Sequence, residues 1–476
     1  MRFPDYEDYD ALGLARLIAE RQITPREALD GAIERTEARN PELNAIIRPL
    51  YDYAKSRADA LTPGAGPLAG VPYPIKDLGV QIVGIPTSAG TAVLKDVPAR
   101  FTSTHVERLE AADLVIFGKT NTSEFGLSFT TEPRAFGPTR NPWSLRHSAG
   151  GSSGGAAAAV AGGMVPAAHA SDGGGSIRVP ASCCGLFGLK PTRGRTALGP
   201  VISEAWSGLA TAHAVTRSVR DSAALLDAVA GSETGDPYFA PPPRRPYLQE
   251  VETPPGRLRI ALQREASPDF PSAPVCRAAA EQAAKLCEAL GHHVEEADPG
   301  IDSEAFGEAF LTVIGAHAAV DMDALAQALG RPLVAGEVET LVVALTEGAR
   351  RRSAADYARA RATIQAFGRR VGYFFEDYDV ILSPTLAQPP APIGTLQTNV
   401  EETDAALAQQ AAYSPFTQLY NATGCPAMSV PLVWSPEGLP LGVMFAAPMG
   451  REDRLFRLAA QLEAAHPWWD KRPSLP

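Results

Sequence analysis

The apolar positions of this chain change period repeatedly, and each change marks a new element. Ala28, Leu29, Ala32 and Ile33 recur at helical spacing. They follow Thr24-Pro25-Arg26-Glu27, a capping box with proline at the first helical position. The first fifty residues read as helical. Residues 68–80, LAGVPYPIKDLGV, read as a short buried strand or extended segment carrying one lysine. A helix near 104–112 leads into DLVIF (113–117), a buried strand, and a glycine-rich region fills 148–200. Leu258, Ile260 and Leu262 alternate as in a strand. A helix near 275–290 stops at Gly291, a good residue just past a helix end, and a strand near 293–296 follows. Residues 354–376 are helical, 378–384, 427–432 and 441–447 are strands, and 451–465 form a final helix.

Strands alternating with helices imply an α/β layered fold with a largely buried sheet. The proline clusters of GSETGDPYFAPPPRRPYLQEVETPPG (231–256) make a surface connection. No internal repeat is visible.

Composition narrows the function classes. The 476 residues exceed a typical single-core domain, and 45% hydrophobic content supplies ample core. A net charge of -11 argues against a basic nucleic-acid groove and fits ordinary cytoplasmic solubility. Five cysteines without a C-x-x-C pair argue against a disulfide framework or a zinc ribbon. Cys183 and Cys184, in PASCCGLFGL, read as small core residues. The histidines form no short-range ligand pair, so no metal is expected. MRFPDYEDYDALG lacks the basic and apolar regions of a secretory signal. The bland stretch 156–170 is too short and too broken for a membrane span.

Candidate chemistry concentrates in HSAGGSSGGAAAAVAGG. Gly150-Gly151-Ser152-Ser153-Gly154 fits G-x-S-x-G, the serine on a strand-to-helix elbow. Such an elbow needs a histidine later in the chain, and His213, His292, His293, His317 and His466 keep that order open. Against it stand the second serine and a second glycine-rich loop, SDGGGSIRVPAS (171–182). Phosphate cradling fits less well. Gly118-Lys119-Thr120 supplies the end of a Walker loop, but position 113 is aspartate.

A third reading joins both loops to a lysine. A serine hydroxyl is a poor nucleophile until a base removes its proton. A lysine is a base only when neutral, and burial lowers its pKa from about 10.4. Lys76 sits in VPYPIKDLGV, where few charges surround it. Pairing with Asp77 is the competing account, and the residues alone leave the two even. Gly173, Gly174 and Gly175 before Ser176 leave backbone N–H groups unobstructed for an oxyanion. A tight turn with positive φ asks for the same glycines.

At this point the residues resemble a family. GGSSGGAAAAVAGGMVPAAHASDGGGSIRVPASCCGLFGLKPT is similar to the amidase signature motif, and PIKD agrees with that family's lysine segment. GKTNTSEFG, FGPTRNPW, YDVILSPT and NATGCPAMSVPL extend the resemblance over nearly the whole chain. It implies the amidase signature fold: a single α/β/α domain over 1–476 with a mixed, mostly buried sheet covered by helices. Its parts would be a helical segment about 5–65, a catalytic core about 66–230, the connection 231–256 and an α/β part about 257–476.

The resemblance also implies roles. Ser176 would be the nucleophile, Ser152 a proton relay behind a cis peptide bond, and Lys76 the base. The N–H groups of Gly173, Gly174, Gly175 and Ser176 would form the oxyanion hole. Ser153 reads as a structural hydroxyl at the start of the Ala-rich helix. Asp172 and Arg178 would hold the nucleophile loop. Gly126, Leu127 and Ser128 are pocket-wall candidates, with ordinary loop packing as the even alternative. Trp206 and Phe239 could also line an apolar pocket, but aromatic residues more often fill a core, and they are left out of the site.

The expected partner is a small-molecule amide, with no cofactor, no nucleic acid and no membrane. The protein would act in the cytoplasm, alone or as a homodimer. Two groups within the family compete for the substrate. The glutamine-hydrolysing subunit of tRNA-dependent amidotransferases is one. Hydrolases of the aminohexanoate cyclic dimer are the other, and TTEPRAFGPTRNPWSL, GREDRLFRLAAQLE and PWWDKRP look similar to them. Leu127 and Gly315 depart from the polar residues that such a pocket would carry. A non-catalytic binding module is the remaining alternative.

Overall fold

The computed structural model describes residues 4–62, 64 and 66–474. Its strands are β1 (Ile46–Pro49), β2 (Pro72–Lys76), β3 (Val115–Thr120), β4 (Arg140–Asn141), β5 (Ser144–Ser148), β6 (Ala167–Asp172), β7 (Phe187–Lys190), β8 (Thr211–Thr216), β9 (Arg259–Leu262), β10 (His293–Glu296), β11 (Val380–Pro384), β12 (Ala427–Trp434) and β13 (Pro440–Ala446). Eight of them form one sheet in the order β10-β9-β11-β13-β12-β7-β8-β6. β10, β9 and β11 are parallel, and every later neighbour is antiparallel. A three-stranded sheet, β1-β3-β2, lies beside it, with β2 packed along β6. Helices cover both, so the fold is mixed α/β with a large buried central sheet.

Local signals explain much of this. The capping box closes as its sequence demands. Thr24 Oγ1 accepts from Glu27 N at 3.1 Å, and Thr24 N donates to the Glu27 carboxylate at 2.9 Å. The helix Pro274–Ala289 is followed by Gly291 at φ +93°. The helix Gly154–Ala161 is almost all alanine and glycine because it is buried between β6, β2 and β3. A Cβ on Gly155 would sit 2.3 Å from Asn121 N. Cys183 and Cys184 are buried core residues, as their apolar setting suggested.

The structure corrects several expectations. The first fifty residues are not all helical: Asn44 turns left-handed at φ 51°, and Ile46–Pro49 is a strand paired with β3. Gly118, Lys119 and Thr120 lie inside β3, which removes the Walker reading. The proline-rich connection contains a short helix, Tyr247–Val251. Phe239 is 71% exposed and fills no core.

The helix Ser303–Leu329 is unmarked by the patterns above and exceeds 156–170 in apolar length. It is long and apolar enough by composition to cross a membrane. Here it packs against the helices Thr340–Arg350 and Ala354–Asp377, burying Phe306, Phe310, Val313 and Ile314.

Candidate active site

Lys76 ends β2 and Asp172 ends β6, so the two strands deliver lysine and glycine loop side by side. The backbone N–H of Lys76 donates to His169 Nδ1 on β6 at 3.2 Å, which ties the strands together. Lys76 Nζ lies 2.7 Å from Ser152 Oγ and 3.0 Å from Ser171 Oγ. Burial pulls the ammonium down to about 7, with the Asp172 carboxylate pulling the other way. Asp77, the neighbour that might have paired with Lys76, faces Lys119 at 3.5 Å instead. Ser88 N donates to it as well, at 3.0 Å.

Ser152 follows a cis peptide bond from Gly151. Its carbonyl accepts from Thr131 Oγ1 at 3.3 Å, and the same hydroxyl accepts from Gly154 N at 3.0 Å. Ser153 occupies the N-cap position but does not cap. Its hydroxyl donates to Ser171 O at 3.2 Å, and Thr131 takes the capping role. No histidine is bonded to Ser152 or Ser176 among the described residues. His213 bonds Ser222, His292 bonds Gln461 and His317 bonds Ser207. The histidine-dependent elbow is therefore not built.

The loop holding Gly173, Gly174, Gly175 and Ser176 is clamped from below. Asp172 and Arg178 are both fully buried and meet through paired contacts of 2.9 Å. Burial alone would raise the Asp172 pKa, but the guanidinium holds it down to about 2. Asn421 donates to the Asp172 carboxylate at 2.8 Å and accepts from Arg178 at 2.7 Å. Arg178 also donates to Thr417 O at 2.8 Å, and Thr417 Oγ1 donates to Gly174 O at 2.6 Å. A charge pair this well hydrogen-bonded offsets the desolvation of both partners. Gly175 has φ +141°, and a Cβ there would sit 2.5 Å from Thr417 Oγ1. A Cβ on Gly173 would sit 2.6 Å from the Trp206 ring. The four N–H groups from Gly173 to Ser176 donate to no acceptor among the described residues. Ile177 N is the first to be used, by Asp172 at 3.1 Å.

Ser176 lies on the cavity that Ser152, Ser171 and Gly173 also line. No hydrogen bond joins Ser176 to Ser152 among the described residues. Gly126, Leu127 and Ser128 do reach the cavity wall. Ser128 is pinned there, its hydroxyl accepting from Gln410 Nε2 at 3.0 Å and Thr130 N at 3.1 Å. Gly315 faces the Leu345 backbone on the next helix, while its neighbour Ile314 lines the cavity.

The amidase family model matches residues 27–456. The chain belongs to the amidase family. It is 39% identical to the 6-aminohexanoate-cyclic-dimer hydrolase of Pseudomonas sp. (strain NK87), over 98% of this chain and 96% of that one. A solved structure of a 6-aminohexanoate cyclic dimer hydrolase complexed with substrate superposes with a TM-score of 0.92. It shares 37% identity and covers 99% of both chains. A bacterial aryl acylamidase of the amidase signature family superposes at 0.90 with 29% identity, over 98% of this chain and 99% of that one. This amidase is an amidohydrolase, and a small-molecule amide is the kind of substrate an amidase takes.

Sequence reasoning set Trp206 aside as one of two aromatics that could line a pocket or fill a core, and it missed Asn421, Thr417 and the helix Ser303–Leu329. Asn421 and Thr417 reach the nucleophile loop through contacts more than 200 residues distant along the chain. Only the NATGCP segment pointed toward them, and it did so by resemblance.

Proposed function

We propose that this amidase hydrolyses carboxylic amides through an acyl-enzyme on Ser176. Ser152 relays protons and Lys76 is the base. The observation that carries this reading is a buried lysine with no ion-pair partner within contact among the described residues, 2.7 Å from the Ser152 hydroxyl. Neutral Lys76 takes the Ser152 proton as Ser152 takes that of Ser176. Ser176 Oγ then attacks the amide carbon. The unused N–H groups of Gly173, Gly174, Gly175 and Ser176 hold the oxyanion, where a lost donor typically costs on the order of 100- to 1,000-fold. Ser152 returns a proton to the leaving nitrogen, because an amide anion leaves badly. Water repeats the sequence on the ester and releases the carboxylate. The chemistry asks for no cofactor.

Cyclic amides form a second substrate class, favoured by the whole-chain likeness to cyclic-dimer hydrolases. The whole chain reads as one amidase unit acting in the cytoplasm, as a monomer or homodimer. Light scattering separates those two states. Ser176→Ala tests the assignment. The variant should melt like the parent yet hydrolyse no amide in a panel of aliphatic, aryl and cyclic amides, and should resist a fluorophosphonate probe. Parental turnover by that variant refutes it.

A further inference from the structure

The catalytic cavity has two lobes, and they differ in chemistry. The smaller, about 110 Å³, is walled by Leu127, Phe129, Phe310, Leu311, Ile314 and Leu345. The larger, about 380 Å³, is lined by Ser152, Ser171, Glu204, His317 and Asp321 as well as by apolar residues such as Leu198 and Ile202. Ser176, Gly126 and Trp206 border both. The Trp206 ring lies against Gly173, at the point where the lobes meet. Its backbone is left-handed at φ 51°, and Ser207 follows at φ 56°. Two successive non-glycine residues in that region persist only where their surroundings over-determine them. Here they do. Ser207 Oγ bonds His317 Nε2 at 2.8 Å and Tyr357 Oη at 2.5 Å, and Arg361 donates to Ser207 O at 2.8 Å. Arg193 donates to the next carbonyl, Gly208 O, at 2.5 Å.

We propose that Trp206 partitions the cavity into an acyl lobe and an amine lobe. The enzyme thereby selects amides that join an apolar acyl group to a larger amine without an anionic charge. This rests on the roles given above to Ser152 and Ser176. The leaving nitrogen must be within reach of the proton donor, and Ser152 lines only the larger lobe. The amine therefore points into the larger lobe, and the acyl group takes the apolar one. A carboxylate on the amine would meet the Glu204 and Asp321 carboxylates that line this lobe, and Glu204 Oε2 is buried without a hydrogen-bond partner among the described residues, although Arg193 and Arg361 lie near enough to act on its charge. A charged group on the acyl side would be stranded among Leu and Phe side chains.

The test is a matched set of 4-nitroanilides with acetyl, butyryl and hexanoyl acyl groups. Hexanoyl amides of 4-(aminomethyl)aniline and of 4-aminobenzoate complete it. The parent should prefer hexanoyl over acetyl by about tenfold or more in kcat/KM, the scale of a few methylenes in an apolar pocket. It should prefer the ammonium-bearing amine over the carboxylate-bearing one. Ile314→Trp, which fills the apolar lobe, should erase the acyl preference and leave the amine preference. Trp206→Ala should blur both; Trp206→Phe, a milder change, should blur them less. An Ile314→Trp enzyme that changes amine selectivity and keeps acyl selectivity reverses the orientation and overturns the proposal. A parent without acyl preference overturns it as well. Fluorophosphonate labelling of Ser176 in each variant separates the two levels. Labelling with the wrong selectivity sinks only the partition, whereas loss of labelling in the parent sinks the catalytic assignment.

Discussion

Lys76 and Lys119 make an informative pair. They sit on neighbouring parallel strands, almost opposite each other, and neither is exposed to solvent. Burial lowers both pKa values, Lys119 to about 8 and Lys76 to about 7. Their partners differ. Lys119 faces the Asp77 carboxylate and the Thr87 hydroxyl, the arrangement of a structural ion pair. Lys76 faces two serine hydroxyls, and both residues line the cavity. A third buried lysine, Lys190, is also held at about 7 by burial and by Arg178, yet it donates only to Pro191 O. Desolvation alone therefore does not make a base. A neutral lysine becomes useful where its proton acceptor site meets a hydroxyl that reaches the substrate.

That contrast can be broken or sharpened by experiment. Ser176→Ala should have the largest effect, a loss of about 10,000-fold or more in kcat on any amide the parent accepts. Lys76→Met should follow, with a loss of about 100- to 10,000-fold and an intact fold by circular dichroism. It should also flatten one pH dependence of stability. The folded pKa of Lys76, about 7, lies below its usual value of 10.5. The unfolded chain therefore holds the extra proton between those values, and this contribution to stability improves as pH rises through that window. Denaturant titrations at pH 7 and 9 measure the slope.

Asn421→Ala, which loosens the clamp on Asp172 and Arg178, should lower kcat by about 10- to 100-fold with little change in KM. In the parent, kcat/KM should fall about tenfold per unit below pH 7, because in the proposed mechanism only neutral Lys76 accepts a proton, and should level off above it. The smallest effect belongs to the double variant Lys119→Met with Asp77→Asn. Its turnover per folded molecule should stay near that of the parent. If it fails as Lys76→Met does, the distinction between the two lysines collapses.

How legible was all this in the sequence? The strand around Lys76, the two glycine-rich loops and the alternation of helix and strand were readable, since each rests on local spacing. The choice between Asp77 and Ser152 as the partner of Lys76 was not. Asp77 is adjacent in sequence, but successive side chains of a strand point to opposite faces. Trp206 stood between pocket and core because nothing local shows that its ring lies against Gly173. Phe239 failed in the opposite direction, being exposed. The helix Ser303–Leu329 escaped notice although it supplies Phe310, Leu311 and Ile314 to the cavity. Its apolar residues serve two neighbouring helices and a cavity at once, so they do not reduce to one stripe.

The sequence by itself determined the chemical inventory: a lysine in an apolar strand, two serines beside glycines, and enough apolar length to bury them. Burial and backbone freedom follow from residue type and near neighbours. Only the tertiary structure decided which buried lysine meets a hydroxyl on the cavity and which N–H groups stay unused. Those outcomes depend on contacts between segments hundreds of residues apart, and no local pattern encodes the distances at which they meet.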